Sequence, residues 1–317
     1  MAHVTPFRFE KWYFDFTMPT GEVVFFFLAK TRILGRKDFR VSLTVVSPRG
    51  APIHRSLILQ ESVAEQSFST PPPLPGLREM TSPSESEIRI RASGDDLSLD
   101  LVFVRHPEDR PVASPMVIPR GKRRILWEPV HGRSIVRGSV RTQGRLWSAE
   151  GYDGYIDRLV SDVFPLFTPV RTLYWGRLHH PEGSLVYAVI PRLRPCALLT
   201  WSSDRGRLEF DAVDVSERGT RMSPILGLTY PPAYTLTAEN HAARVRLDAE
   251  NLATAVETGF IGNEEIRGGL ESRAINFLAR NPRGIKFFSR GHLHLEDKGQ
   301  TTEIESAPFF SEIVRFS

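Results

Sequence analysis

Apolar and polar residues alternate along most of this chain. In "DDLSLDLVFVR", residues 95–105, Leu97, Leu99, Leu101 and Phe103 fall on one side with Ser98 and Asp100 opposite, the period of a half-buried strand. "EVVFFFLAK", "DFRVSLTVV", "GRSIVRGSVR", "SLVYAVIPRL" and "GIKFFSRGHLHLE" read the same way, separated by Gly, Pro, Asn and Asp turns. A helical period is convincing in "GGLESRAINFLAR", 268–280, where Leu270, Ala274, Phe277 and Leu278 share a face. "FSTPPPLPGLREMTSPSESE", 68–87, reads as a long loop by composition. Many strands with few helices predict an all-β protein, either a sandwich or antiparallel barrels.

The prolines of "SDVFPLFTPVRT", 161–172, interrupt the strand pattern and leave enough chain on each side for one barrel. With 317 residues in all, this predicts two domains, 1–165 and 166–317. The 41 basic and 37 acidic residues are scattered, and the net charge of +4 is modest. The densest basic cluster, "RGKRR" at 120–124, reads as a solvated turn, and no nucleic-acid-binding signature accompanies it. The one cysteine, Cys196, excludes an intrachain disulfide and a multi-cysteine metal site. No leader is evident in "MAHVTPFRFEKWYFDF", and the longest apolar run, "VVFFFLA", is too short to span a bilayer. The expectation is a soluble, cytoplasmic protein with no stable membrane insertion and no nucleic-acid partner.

Most familiar chemistries find no residues here. There is no G-x-S-x-G elbow, Walker loop, dinucleotide glycine fingerprint or H-E-x-x-H. His292 and His294 share a strand face in "GHLHLE", with Glu296 the one nearby third ligand, which is poor support for a metal; none is predicted. His179 and His180 precede a Pro-Glu-Gly turn and read as a hairpin end. Cys196, in "RLRPCALL", reads as an inert core thiol.

What stands out is "AEGYDGYIDRLVSDVF", 149–164, with two aspartates and two tyrosines between Tyr152 and Asp157. On a strand, Asp153, Tyr155 and Asp157 share one face, and Tyr152, Gly154, Ile156 and Arg158 the other. If the first face looks into a closed barrel, it carries acids in an apolar hole; if it looks outward, it is a polar surface. Three aromatic clusters accompany it. "EKWYFDF", 10–16, sets Glu10, Trp12, Phe14 and Phe16 against Lys11, Tyr13 and Asp15. "ILWEPV" contributes Trp127, and "LYWGRL" sets Trp175 and Arg177 against Tyr174 and Gly176.

In order and spacing, "EKWYFDF", "LWEPV", "GYDGYIDR" and "YWGRL" resemble the carotenoid 1,2-hydratase (hydroxyneurosporene synthase) family and its attH-like relatives, a group that includes decalin-forming Diels–Alderases. The resemblance covers roughly the first 60% of the chain, and the remainder matches only in its β-rich character. It implies two tandem lipocalin-like β-barrels with an apolar ligand site in or between them. It also implies that a Tyr-x-Asp segment, here Tyr155 and Asp157, supplies an acid that protonates a double bond, and Trp127 matches a tryptophan of the family's site. The chain departs from the pattern at Arg158 and Leu159, where the family continues with His and Asn, and at Ile125, where a histidine is usual. These departures remove the water-activating groups and leave the acid.

A carboxyl group in an apolar enclosure loses hydration, which favours its neutral, proton-donating form. The expected function is therefore a cofactor-independent cyclase or isomerase acting on an elongated apolar terpenoid, polyene or polyketide. Asp157 is the candidate acid, Tyr155 its orienter and Asp153 a second candidate. Trp12, Phe14, Trp127, Tyr174, Trp175, Arg177 and Glu10 are the candidate substrate-binding residues. The alternatives are hydratase-type addition of water to an isoprenoid double bond, and non-catalytic carriage of an apolar ligand.

Overall fold

The computed structural model describes residues 7–33, 36–59, 77–84, 86–94, 96–164, 167–191, 193, 196–259 and 283–316. Among these residues there is no α-helix. The helical candidate at 268–280 lies outside the described residues. The chain divides into two compact units, the first formed by 1–113 and 125–162, the second by 114–124 and 163–317.

The first unit begins with β1 (Phe7–Thr17), β2 (Val23–Ile33), β3 (Arg36–Ser47) and β4 (Gly50–Leu59). It continues with β5 (Leu77–Ser84), β6 (Glu87–Gly94) and β7 (Leu97–Arg105). The short β8 (Met116–Arg120) falls in the segment 114–124 counted with the second unit, and the two long strands β9 (Arg123–Thr142) and β10 (Arg145–Ser161) follow it. The antiparallel sheet runs β4-β3-β2-β1-β10-β9-β7-β6-β5. The first strand is thus flanked by the second and the last, as in a meander that curls back on its own beginning.

The second unit repeats the plan. Its strands are β11 (Thr172–His180), β12 (Gly183–Val189), β13 (Ala197–Ser203), β14 (Gly206–Phe210) and β15 (Val213–Arg218). They are followed by β16 (Arg221–Met222), β17 (Thr229–Tyr230), β18 (Ala233–Glu239), β19 (Ala243–Gly259), β20 (Arg283–Asp297) and β21 (Gln300–Arg315). The order β14-β13-β12-β11-β21-β20-β19-β18-β15 again puts the first strand beside the last, and β13 approaches β15, so this sheet nearly closes into a barrel. The last hairpin of each unit turns through a residue-glycine pair with positive φ, Gln143-Gly144 (49° and 69°) and Lys298-Gly299 (48° and 80°). That backbone twist matches the twist of paired strands, which is why such pairs suit two-residue hairpins.

One segment differs from its sequence expectation. Residues 77–84, inside the stretch that composition assigns to a loop, form edge strand β5 and pair with β6. An edge strand tolerates Pro83 because one side of its ladder needs no partner, and the register shifts there, between Thr81 and Ser84.

Each unit wraps its own apolar core. In the first, Phe14, Phe16, Phe26, Phe103, Val136 and Ile156 interlock, and the rings of Phe14 and Phe26 stack with centroids 4.8 Å apart. In the second, Tyr174, Leu178, Tyr187, Tyr234, Leu247 and Phe287 do the same. The core of the first unit admits no side chain at Gly154. A Cβ there would meet Val136 Cγ2 at 2.3 Å and the Asp15 carbonyl oxygen at 2.7 Å, and the backbone atom cannot swing aside. Gly154→Ala is expected to destabilise the protein by about 1–3 kcal/mol, the usual scale of overpacking. Urea denaturation followed by tryptophan fluorescence measures it, and an unchanged midpoint would refute the close approach.

Candidate active site

The wall formed by β1 and β10 is buried on both faces. Its register places Phe14 opposite Ile156 and Phe16 opposite Gly154, all turned to the core. The alternate residues, Tyr13, Asp15, Tyr155 and Asp157, occupy the other face by the two-residue period of a strand. The acid face therefore does not look into the barrel, because the core takes the apolar set instead. Nor is it a solvated surface: Tyr13 is 4%, Asp15 0%, Tyr155 0% and Asp157 5% exposed.

On that face the Tyr155 hydroxyl donates to Asp157 Oδ2 at 3.1 Å. Tyr13 stands opposite Asp157 and Asp15 opposite Tyr155 across the ladder. Direct partners of this kind hold their Cβ atoms about 4.5–5.5 Å apart, so two phenols and two carboxyls form a two-by-two block. The Tyr13 ring lies 6.2 Å from that of Tyr155 and 6.0 Å from that of Phe25. Trp127, buried on β9 opposite Leu159, continues the face one step beyond Asp157. Alternation groups Tyr13 with Asp15 but assigns them no role. The signal that points to them is the repeat of one triplet: Tyr13-x-Asp15 and Tyr155-x-Asp157 are the same motif on two antiparallel neighbours.

Register shifts between β9 and β10 flank this block, with the extra residue on β10 at Glu150/Tyr152 and on β9 opposite Gly154/Ile156 and Ile156/Asp157. Such bulges bend a strand and re-aim its side chains. Asp153, the second candidate acid, is held by Arg133, whose Nε and Nη2 donate to it at 2.7 and 3.2 Å. Its side chain is 37% exposed, so it is committed to an ion pair at the edge of the buried block. His131, which no sequence motif singles out, is fully buried opposite Ile156, with Nδ1 2.9 Å from Ser134 Oγ.

Trp12 and Phe14 belong to the other side of the wall. Their rings stack at 6.3 Å and pack with the core, so alternation separates them from Asp157. The Arg158 guanidinium sits 5.4 Å from the Trp12 ring and donates to Glu10 through Nε at 3.0 Å and Nη2 at 2.8 Å. Glu128 adds a longer contact at 3.6 Å. Glu10 is thereby an anchor for Arg158 across β1 and β10.

In the second unit, Tyr174 faces the core while Trp175 and Arg177 face away from it. The Tyr174 hydroxyl donates to Glu217, and its ring lies 5.1 Å from Tyr234. The hydroxyls of Tyr187 and Tyr234 are 2.6 Å apart, and Ser289 links Ser311 and Asn251 at 2.8 and 3.0 Å. Burial raises all three phenols above their ordinary range, Tyr234 to about 12. On the opposite face Lys286 pairs with Glu312 and lies 5.4 Å from the Trp175 ring, while Arg177 lies 6.0 Å from that of Phe310. Burial also pushes the Cys196 thiol up, as suits an unreactive core position. His292 and His294 bond to Glu303 and Glu296 on an exposed face. Among the described residues no group of three or more His, Cys, Asp or Glu is placed to hold a metal.

No protein-family model and no curated protein matches this sequence. The fold, however, has solved counterparts. An AttH-like protein from Nitrosomonas europaea superposes with a TM-score of 0.60 at 15% identity, covering 98% of this chain and 93% of the other. Kievitone hydratase from Nectria haematococca gives 0.57 at 11% identity, covering 97% and 89%. CghA, solved with Sch210972, gives 0.60 at 10% identity, covering 98% and 89%. The chain thus has the all-β, tandem lipocalin-like fold of AttH-like proteins, the group that its motifs resemble.

The buried phenols carry a pH dependence of stability. Because folding raises the Tyr234 pKa from 10.0 to about 12, its contribution is complete below pH 10 and disappears as pH rises towards 12. The loss is about 2–3 kcal/mol, since each tenfold change in proton affinity is worth about 1.4 kcal/mol. Urea midpoints should therefore fall steeply above pH 10 in the native protein and less steeply in Tyr234→Phe. Equal slopes in the two proteins would contradict this.

Proposed function

We propose that this chain is a cofactor-independent enzyme that cyclises or isomerises an elongated apolar substrate of terpenoid, polyene or polyketide type. The observation that carries the reading is the Tyr155–Asp157 hydrogen bond, buried beside Tyr13 and Asp15 on the far side of the β1–β10 wall. Asp157 transfers its proton to an alkene carbon or a carbonyl oxygen of the substrate. Tyr155, bonded to Asp157 Oδ2, orients that carboxyl, and Trp127 presents a π face to the developing cation at an attraction of about 0.5–2 kcal/mol. Loss of a neighbouring substrate proton to Asp15 completes an isomerisation without net change in the protons held by the site. Cyclisation uses the same acid, with the enclosed surface holding the reacting carbons close together. Asp153, paired with Arg133, supports the bulged strand rather than the proton transfer. The partner is an apolar small molecule, and the enzyme works in the cytoplasm without nucleic acid.

Hydration is the second reading. It draws support from a structural counterpart that is named as a hydratase. Water would attack the cation that Asp157 generates, and oxygen from labelled water would then enter the product.

The test starts with native mass spectrometry of the protein purified from its own source and identification of the molecule it retains. Converted by the native enzyme, that molecule or its precursor is the assay substrate. Asp157→Asn is expected to lower kcat by about 10²–10⁴-fold, the range for a general acid, with KM little changed. Tyr155→Phe should produce a smaller loss. A ligand recovered unchanged, with binding and turnover indifferent to Asp157→Asn, would leave a carrier instead of an enzyme.

A further inference from the structure

The hairpin of β16 and β17 presents the two most exposed large apolar side chains among the described residues, Ile225 at 74% and Met222 at 69%. Their exposure does not come from a loosely held turn. Ser223 N donates to Leu228 O at 2.8 Å, and Gly227 N to Ser223 O at 3.0 Å. The Ser223 hydroxyl donates to the buried Glu257 carboxylate, and Leu226 N donates both to Ser223 Oγ at 2.9 Å and to Glu257 Oε2 at 3.2 Å. Arg283 Nη1 donates to Leu226 O at 3.0 Å. Leu226, Leu228 and Tyr230 pack inward on the core of the second unit. The hairpin is therefore clasped at its base and sorts its apolar residues, three inward and two out.

The acid that touches the hairpin, Glu257, is buried at its base, and the exposed charge beside Met222 is basic. From Arg218 through Ala238 the chain carries two arginines, Arg218 and Arg221, and no acid. Arg221 is exposed, and the Arg218 side chain is 58% exposed even with Asp248 at 3.5 Å. We infer that this hairpin is a docking element for an anionic lipid surface, with Met222 and Ile225 entering the headgroup–acyl boundary and Arg218 and Arg221 meeting the lipid charge. Apolar tips flanked by basic residues are what such a boundary binds. A second copy of the chain fits less well. Two side chains fall far short of the roughly 800 Å² per partner that a stable protein interface buries, and a two-fold axis here would set arginines against arginines. No helix among the described residues is long and apolar enough to cross a membrane. The inference does not rest on the proposed reaction.

The experiment is co-sedimentation of the full chain with vesicles of phosphatidylcholine containing one third phosphatidylglycerol, beside vesicles of pure phosphatidylcholine. The protein should sediment with the anionic vesicles, and less as salt is raised. Met222→Asp with Ile225→Asp should weaken binding by about tenfold or more, and Arg221→Glu should weaken it and flatten the salt dependence. These positions are solvent-facing, so the variants should keep the native melting temperature. Failure of the native protein to sediment, or equal sedimentation of the double variant, would overturn the inference. So would a dimer in analytical ultracentrifugation that the double variant dissociates, because a second copy would then cover the patch.

Discussion

The pairing of β1 with β10 is the constraint on which the first unit and its site both depend. It joins the first strand to the last and so sets the order of the whole sheet. It also brings two Tyr-x-Asp triplets, far apart in sequence, into a single block. Both faces of this wall are buried, which for an antiparallel strand means that neither half of its alternation is surplus. One half, Phe14, Phe16 and Ile156, fills the core. The other half is polar and aromatic and holds the Tyr155–Asp157 bond. A shift of one residue would exchange the two sets, sending carboxyls into the core, and the β1–β10 ladder keeps an unbroken register from Phe9 to Phe16.

The second unit uses the same topology with a different balance. Its core is built around phenols that bond one another, Glu217 and Ser311, and Ser311 and Ser289 pass the network on to Asn251, which makes it a polar network inside an apolar barrel. Buried networks of this kind hold a barrel in one arrangement because each member is costly to leave unbonded. Gly176 belongs to the same design, since a Cβ there would meet the Tyr187 hydroxyl at 2.3 Å. The faces of β11, β20 and β21 turned away from that core set cations against aromatic rings: Lys286 with Trp175, and Arg177 with Phe310.

Charged side chains suggested by the motifs fall into two kinds. Glu10 and Asp153 are bound to Arg158 and Arg133 and fix the geometry of the wall and its edge. Asp157 accepts a hydrogen bond from the Tyr155 phenol, which orients its carboxyl.

Alternation alone is enough to read the strands, the division of "EKWYFDF" and "LYWGRL" into two faces, and the all-β class, because period two is a local property of the backbone. Motif order is enough to reach the tandem lipocalin-like group. Which face of β10 meets the core is not legible, since both of its faces carry residues that bury well. The partnership of Tyr13 and Asp15 with Asp157 is also hidden. It is a pairing across well over a hundred residues, and register between distant strands is chosen by the packing of the whole sheet. The strand at 77–84 escapes a sequence reading for a related reason: a proline-containing edge looks like a loop until the neighbour that supplies its hydrogen bonds is in place. The sequence by itself determined what each strand offers on its two sides; only the tertiary structure decided which side became core and which became the enclosed block of phenols and acids, because burial is a property of the assembled sheet.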